Sequence, residues 1–189
     1  MDIKEMIERA KEAGACKKGV EWARQFDSVE GMLASNFNEK TIGYLYWYAK
    51  DIIKGRWGEA ESIISTDPWL AYSYSKDIIE GKWKEAEPVI STYPRSAYLY
   101  AKDIIKGRWK EAEPVILTDP RSAYSYSKDI IKGRWEEAES VILTDLRSAY
   151  SYSRDVIKGR WKEVEPVILT ESVYKKCYED HFNCQLGED

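Results

Sequence analysis

Residues 97–122 read AYLYAKDIIKGRWKEAEPVILTDPRS, and residues 123–148 read AYSYSKDIIKGRWEEAESVILTDLRS. The two stretches agree at 21 of 26 positions. The same phrase recurs elsewhere in the chain, so that a tryptophan after Gly-Arg or Gly-Lys returns every 26 residues, at Trp57, Trp83, Trp109, Trp135 and Trp161. A fixed period of this length is typical of stacked repeat proteins, and it therefore decides the fold.

The first half of each repeat has the pattern of an amphipathic helix. In the repeat at 71–96, Asp67 and Pro68 provide an N-cap acid and a proline at the first helical position. Gly81 is the residue type that ends helices in the left-handed conformation. Small and apolar residues recur between these signals at helical spacing, namely Ala71, Tyr74, Ser75 and Ile78. The sequence predicts a helix with a tyrosine-rich buried side.

The second half of each repeat predicts a shorter helix, because Pro88 is tolerated only near a first turn. Its apolar face consists of Trp83, Ala86, Val89 and Ile90. One such unit cannot bury its aromatic side chains alone, so neighbouring units must stack. We therefore predict an all-α fold: a right-handed α-solenoid of five 26-residue helix–turn–helix units over residues 45–174, with helical N- and C-terminal caps.

Residues 1–44 and 175–189 depart from the repeat and are predicted to be caps. A helical pattern at the N-terminus stops at Gly14, and residues 19–44 resemble a degenerate leading repeat. The other end predicts a closing helix, followed by a frayed tail from Gln185 to Asp189. The apolar stripe of the closing helix comprises Val173, Tyr174, Cys177, Tyr178 and Phe182.

The composition argues against several classes of protein. The chain has 29 basic and 33 acidic residues that balance within individual repeats, so it offers no basic track for DNA or RNA. We find no signal peptide and no apolar run long enough to span a membrane. Because the three cysteines (Cys16, Cys177 and Cys184) are odd in number and confined to the caps, we expect no disulfide framework and a cytoplasmic protein.

The sequence offers little for catalysis or metal binding. His181 is the single histidine, and with Cys177 and Cys184 it would make only a three-ligand site at the chain end. We expect an ordinary capping helix there. An acid recurs in every repeat, at Asp51, Asp77, Asp103, Asp129 and Asp155, whereas a catalytic carboxylate pair is expected only once. We therefore expect no enzyme activity, no cofactor and no metal.

Two repeated polar features have structural explanations. The recurring acid is expected to pair with a base three or four residues away, as Asp103 with Lys106, or with one in the next repeat. The basic residue beside each repeat tryptophan suggests contacts with phosphates and bases, as in repeat proteins that bind RNA. However, Glu85 and Glu87 follow Trp83 closely. We expect the basic residue to lie over the indole ring or to pair with those acids.

Positions at which the repeats disagree predict the partner-binding surface. The outward position of the first helix is serine in three repeats, but it is Trp47 in the first and Leu99 in the third. Trp69 stands where other repeats have arginine, and Tyr93 stands where they have aspartate. Exposed apolar residues mark interaction sites, so we predict a partner on the N-terminal half of the array. For Trp47 and Trp69, packing under the N-terminal cap is the alternative. The repeated Lys–Asp face is a further candidate, represented by Lys76, Asp77, Lys102 and Asp103.

The phrases AKDIIKGRWKEAEPVILTDP at 101–120 and AGACKKGVEWARQF at 13–26 resemble tandem-repeat proteins of bacteriophages and bacteria, most of them uncharacterised. The resemblance implies a small helical-repeat protein, an accessory protein of a virus, that binds a host protein such as a component of the defence machinery. It supplies no catalytic residues. The alternative hypothesis is capture of a small molecule or nucleotide by an aromatic-lined groove or an oligomer interface. The sequence leaves the oligomeric state open.

Overall fold

A computed structural model describes residues 2–187, and this part of the chain is helical without a β-strand. Its α-helices are α1 (Ile3–Glu12), α2 (Lys17–Ala23), α3 (Val29–Leu33), α4 (Glu39–Tyr48), α5 (Gly58–Ile64), α6 (Pro68–Tyr74), α7 (Glu87–Ile90), α8 (Pro94–Tyr100), α9 (Glu113–Ile116), α10 (Pro120–Tyr126), α11 (Glu136–Ile142), α12 (Leu146–Tyr152), α13 (Glu165–Ile168) and α14 (Ser172–Phe182). The predicted all-α class is confirmed.

The chain divides into two compact units, Met1–Ile90 and Ser91–Asp189. The division falls inside the predicted repeat array, after the second repeat tryptophan. In the first unit, α4 packs against α6. In the second unit, α8, α10, α12 and α14 pack against one another in chain order. Successive first helices of the repeats are therefore neighbours within each unit.

Each first helix ends in a widened π-helical turn that we did not expect from the sequence. These turns are Ala49–Ile53, Ser75–Ile79, Ala101–Ile105, Ser127–Ile131 and Ser153–Ile157. The backbone amides of Lys106 and Gly107 both donate to the carbonyl oxygen of Ala101. Because two successive amides bond to the same carbonyl, the chain reverses at the first of them, and Lys106 is left-handed with φ 58°.

The predicted position of the left-handed residue was therefore wrong by one place. Glu80, not Gly81, adopts that conformation in the second repeat, with φ 54°. A left-handed conformation costs a residue with a side chain about 1–2 kcal/mol, so the surrounding packing must hold it in place.

The core of each compact unit repeats one aromatic pair. Trp109 is 7% exposed, and its ring centroid lies 5.1 Å from that of Tyr100. Its backbone amide donates to the hydroxyl of Tyr126, in the following repeat, at 2.7 Å. Equivalent ring pairs are Tyr48–Trp57, Tyr74–Trp83, Tyr126–Trp135 and Tyr152–Trp161. The tryptophan thus packs on its own first helix and hydrogen-bonds to the next.

The two ends of the chain match the sequence analysis only in part. The predicted stop at Gly14 is confirmed, since α1 ends at Glu12 and Gly14 has φ 83°. On α14, Tyr178 is buried, but Val173 is 68% exposed and Cys177 is also exposed, so the predicted apolar stripe was wrong at these two positions.

The predicted frayed tail was wrong at one residue. Leu186 is buried, and its amide donates to a carboxylate oxygen of Glu179 at 2.7 Å. That hydrogen bond returns the chain to α14 after the helix has ended. Residues 188 and 189, which belong to the same prediction, lie outside the described residues.

Candidate functional site

An open groove between α8 and α10 contains two of the residues that the sequence predicted for partner binding. Tyr93 and Leu99 line it, and its volume is about 460 Å³. The remaining lining consists of Pro94, Arg95 and Tyr98 on the α8 side, with Asp119, Arg121, Ser122 and Ser125 on the α10 side. We call this the aromatic groove. Tyr93 is 51% exposed at its edge, and Leu99 is half-buried within it.

Tyr93 is present in this groove although local helix chemistry favours an acid at its position. In the next two repeats the equivalent residues, Asp119 and Asp145, cap α10 and α12 by accepting hydrogen bonds from the amides of Ser122 and Ser148. Tyr93 caps α8 without a side-chain hydrogen bond. Such a missing cap lowers helix stability by about 1 kcal/mol.

The substitution also affects a buried serine. Ser96, which is equivalent to Ser122 and Ser148, has a buried hydroxyl without a hydrogen-bond partner. A buried hydroxyl that lacks a partner is unfavourable by about 1–3 kcal/mol. Tyr93 therefore adds an exposed aromatic ring at a position where two stabilising features of the other repeats are missing.

Behind the aromatic groove runs a ladder of lysine, tyrosine and aspartate side chains. Asp129 accepts hydrogen bonds from the Tyr98 hydroxyl and from the Lys102 ammonium, which lies 2.7 Å away. The same contacts join Tyr124 and Lys128 to Asp155, and Tyr46 and Lys50 to Asp77. In these cases the pairing with a base in a neighbouring repeat, one of the two predicted alternatives, is confirmed.

The ladder shifts the pKa values of its members in opposite directions. Burial, together with the hydrogen bond to Asp129, raises the pKa of Tyr98 to about 12. Burial alone would raise the pKa of the Asp129 carboxyl, but the hydrogen bonds from Lys102 and Tyr98 bring it below its ordinary value. The carboxylate and the ammonium therefore stay charged at neutral pH and satisfy each other, which makes these residues part of the frame.

The basic residue of the signature turn is also engaged within the protein. Arg108 forms two hydrogen bonds to the carboxylate of Glu113, each of 2.8 Å, and Glu113 accepts another from the Tyr126 hydroxyl at 3.0 Å. Arg56, Arg134 and Arg160 pair in the same way with Glu61, Glu139 and Glu165. The predicted pairing with the acids after the tryptophan is confirmed for these arginines. A paired arginine is a poor phosphate ligand, which weakens the RNA-binding interpretation.

A second concave site lies in the first compact unit, where α1, α2 and α4 meet. Its volume is about 470 Å³, and Trp47 is among its lining residues. Met6, Ile7 and Ala10 contribute from α1, while Trp22, Tyr44 and Leu45 contribute from α2 and α4. We call this the N-terminal cavity. Trp47 is half-buried there, as expected if it packs under the N-terminal cap.

The aromatic groove and the N-terminal cavity occupy the same positions in the 26-residue register. Three repeats, or 78 residues, separate Gly43, Tyr44 and Trp47 in the cavity from Arg121, Ser122 and Ser125 in the groove. The same offset relates Ala15, Cys16 and Val20 to Tyr93, Pro94 and Tyr98. Polar and bulky groove residues are thus replaced in the cavity by apolar or small ones. The sequence analysis missed this, although the offset makes it visible.

The other predicted residues lie apart from these two sites. Trp69 is 42% exposed, and its ring lies against Tyr72 with centroids 5.6 Å apart. Lys76 is exposed and donates to the Tyr72 hydroxyl at 3.3 Å. Asp77 and Lys102 belong to the ladder, and Asp103 is half-buried. Of the predicted set, the structure brings together only Tyr93 and Leu99.

Residues 2–187 contain no cluster of three potential metal ligands, and Cys177, His181 and Cys184 do not form one. None of the helices in this range is long and apolar enough to cross a membrane. No family model, curated protein or solved structure matches the chain.

Proposed function

We propose that this chain is a non-enzymatic helical-repeat protein that binds another protein through the aromatic groove. In this proposal the repeats form a right-handed α-solenoid of five 26-residue units, which presents the grooves between successive first helices to a partner. Regular side-by-side packing of α8, α10, α12 and α14 supports this arrangement.

One observation carries the proposal: Tyr93 is half exposed where the next two repeats have a capping aspartate. Neither the helix cap nor the core explains a tyrosine at this position. Positions that break a local stability rule without a structural benefit are expected at functional sites. Exposed tyrosine and arginine beside an aliphatic residue are also the side chains that dominate binding energy in protein interfaces. Tyr93, Arg95 and Leu99 provide that combination.

The kind of partner follows from the resemblance to tandem-repeat proteins of bacteriophages. We propose a host protein in the bacterial cytoplasm, with the defence machinery as the leading class. The lining of the groove contains two arginines and one aspartate, which favours a partner surface with acidic residues beside an apolar one.

The test compares the proteins that the immobilised chain captures from a bacterial lysate with those captured by Tyr93→Asp combined with Leu99→Ser. This double variant restores the residues of the neighbouring repeats, so we expect it to fold and to lose the specific partner. Val173→Ser is the matched control, because it removes an exposed apolar side chain elsewhere in the same compact unit. Equal capture by the double variant and the wild-type chain would show that the binding surface lies outside the groove.

A further inference from the structure

We propose that the N-terminal cavity is a binding site for a small amphipathic organic anion: an apolar ring system or acyl chain that carries one acidic group. This site is distinct from the aromatic groove, and the inference does not depend on the proposed protein partner. It gives the small-molecule alternative of the sequence analysis a location and a ligand class.

The shape of the cavity follows from small residues at its walls. Ala10, Gly14, Ala15, Gly19 and Gly43 all line it. Gly43 is the most informative, since the equivalent positions of later repeats hold Trp69, Arg95, Arg121 and Arg147. A Cβ atom at Gly43 would meet no other atom within 4 Å, so the space beside it is open. Only in this copy of the register is that position left without a side chain.

The walls are apolar and aromatic. Met6, Ile7 and Val20 face the space together with Trp22 and Trp47. The ring of Trp22 is itself held by Phe26, Phe37 and Tyr44, at centroid distances of 5.5 to 5.9 Å. A concave site of about 470 Å³ with such walls has the size and lining typical of small-molecule sites.

The polar groups of the cavity define the charge of the ligand. Lys40 is the only charged residue in the lining, which contains no acid. Lys40 is exposed and forms no ion pair within residues 2–187. The hydroxyl of Tyr44, another lining residue, is buried and has no hydrogen-bond partner. An ammonium and a hydroxyl both donate hydrogen bonds, so an oxyanion at one end of an apolar body complements them.

The experiment uses two fluorescent probes with the full chain. 1-Anilinonaphthalene-8-sulfonate carries one anionic group, and N-phenyl-1-naphthylamine is the same ring system without it. We expect the sulfonate to bind with one-to-one stoichiometry and to be displaced by decanoate or by 2-naphthoate. Displacement by only one of these would identify the acyl or the aryl source. Displacement by adenosine monophosphate but by neither acid would overturn the proposal.

Gly43→Leu tests the location, because it fills the cavity and also raises helix propensity within α4. We expect it to weaken probe binding at least tenfold. Gly58→Leu is the matched control: Gly58 also has open space around its Cβ position but lies outside the cavity lining. Wild-type affinity in Gly43→Leu, or equal losses in both variants, would overturn the proposal.

Lys40→Gln tests the charge preference. We expect about a two- to fivefold loss for the sulfonate probe, in the range of an exposed ion pair, and no change for the neutral probe. Equal effects on both probes would overturn the anion assignment.

A measurement on the wild-type chain avoids any dependence on the folding of variants. Cys16 lines the cavity, whereas Cys177 is exposed on α14. Bound 2-naphthoate should slow the alkylation of Cys16 by N-ethylmaleimide and leave that of Cys177 unchanged, as measured by peptide mass spectrometry. Unchanged labelling of Cys16 at saturating ligand would contradict binding in the cavity.

Discussion

The aromatic groove and the N-terminal cavity are two versions of one position in the repeat, and they differ in what lines them. In the groove, Tyr93 and Arg121 stand where the cavity has Ala15 and Gly43. The groove is open and mixed in polarity, whereas the cavity is apolar and bounded additionally by α1. The comparison shows that a repeated frame can be kept while the residues between the helices change its binding chemistry.

The frame itself is the aromatic network of the repeats, and the largest effect is expected there. Trp109→Ala should lower the free energy of unfolding by about 3–5 kcal/mol, because it removes a buried ring that packs on Tyr100. Denaturant unfolding monitored by circular dichroism measures this loss. Trp69→Ala, at a 42% exposed position, is the control and should change stability much less. Similar losses in the two variants would remove the distinction between frame and surface.

The hydrogen bond between repeats is expected to contribute less than the buried ring. Tyr126→Phe leaves the Trp109 amide without its acceptor in a buried position, which should destabilise the protein by about 1–3 kcal/mol. Tyr124→Phe, on the ladder, provides a comparison at a half-buried position. If Tyr126→Phe unfolds at the same denaturant concentration as the wild-type protein, the hydroxyl is not part of the frame.

The same tyrosine predicts a change of stability in alkali. Burial raises the pKa of Tyr126 to about 12 from an ordinary value of 10.0. Its contribution to stability is therefore fully present below pH 10 and is lost as the pH rises through 12. Unfolding experiments between pH 9 and 12 should show falling stability for the wild-type protein and a shallower decline for Tyr126→Phe. Parallel declines would contradict this assignment.

The lining of the groove is expected to affect stability in the opposite direction. Tyr93→Asp should raise the free energy of unfolding by about 1 kcal/mol, because it restores the helix cap made by Asp119 and Asp145 in later repeats. The reciprocal variant Asp119→Tyr should lower it by a similar amount. A destabilised Tyr93→Asp protein would show that Tyr93 contributes to folding, and the argument for a functional tyrosine would fail.

The smallest effect is expected from the ladder. Asp129→Asn removes one charge of a pair whose side chains are 45% and 26% exposed, and it should destabilise the protein by about 0.2–1 kcal/mol, less at high salt. Asp51→Asn is the control, because Asp51 is exposed and has no ion pair within the described residues. A loss above 2 kcal/mol for Asp129→Asn would place the ladder in the frame with the tryptophans.

Much of the fold is predictable from the sequence because the repeat fixes it many times over. The 26-residue spacing, the helix starts at Pro68 and Pro94 and the short second helices are all present in the structure. The π-helical turn is not predictable from helical periodicity, since it depends on two amides sharing one carbonyl. The left-handed conformation of Lys106 follows from that geometry, although the sequence favours the adjacent Gly107.

The candidate sites are predictable only where the repeats differ. Comparison of the repeats identified Tyr93 and Leu99, because serine and aspartate elsewhere provide the reference. The same comparison includes Trp47 but does not reveal a cavity, since the helix that closes it, α1, lies outside the repeat. Exposure of Val173 and burial of Leu186 likewise depend on how the chain returns after α14, which no repeat specifies.

The central claim is that the groove and the cavity are separate binding sites on one frame, and two readouts on two variants test it most directly. Capture of lysate proteins and fluorescence of 1-anilinonaphthalene-8-sulfonate are measured for Tyr93→Asp with Leu99→Ser, and for Gly43→Arg, which places the arginine of later repeats in the cavity. We predict that the first variant loses the captured partner and keeps the probe, while the second loses the probe and keeps the partner. Joint loss of both readouts in either folded variant, or retention of both in each, would contradict the account.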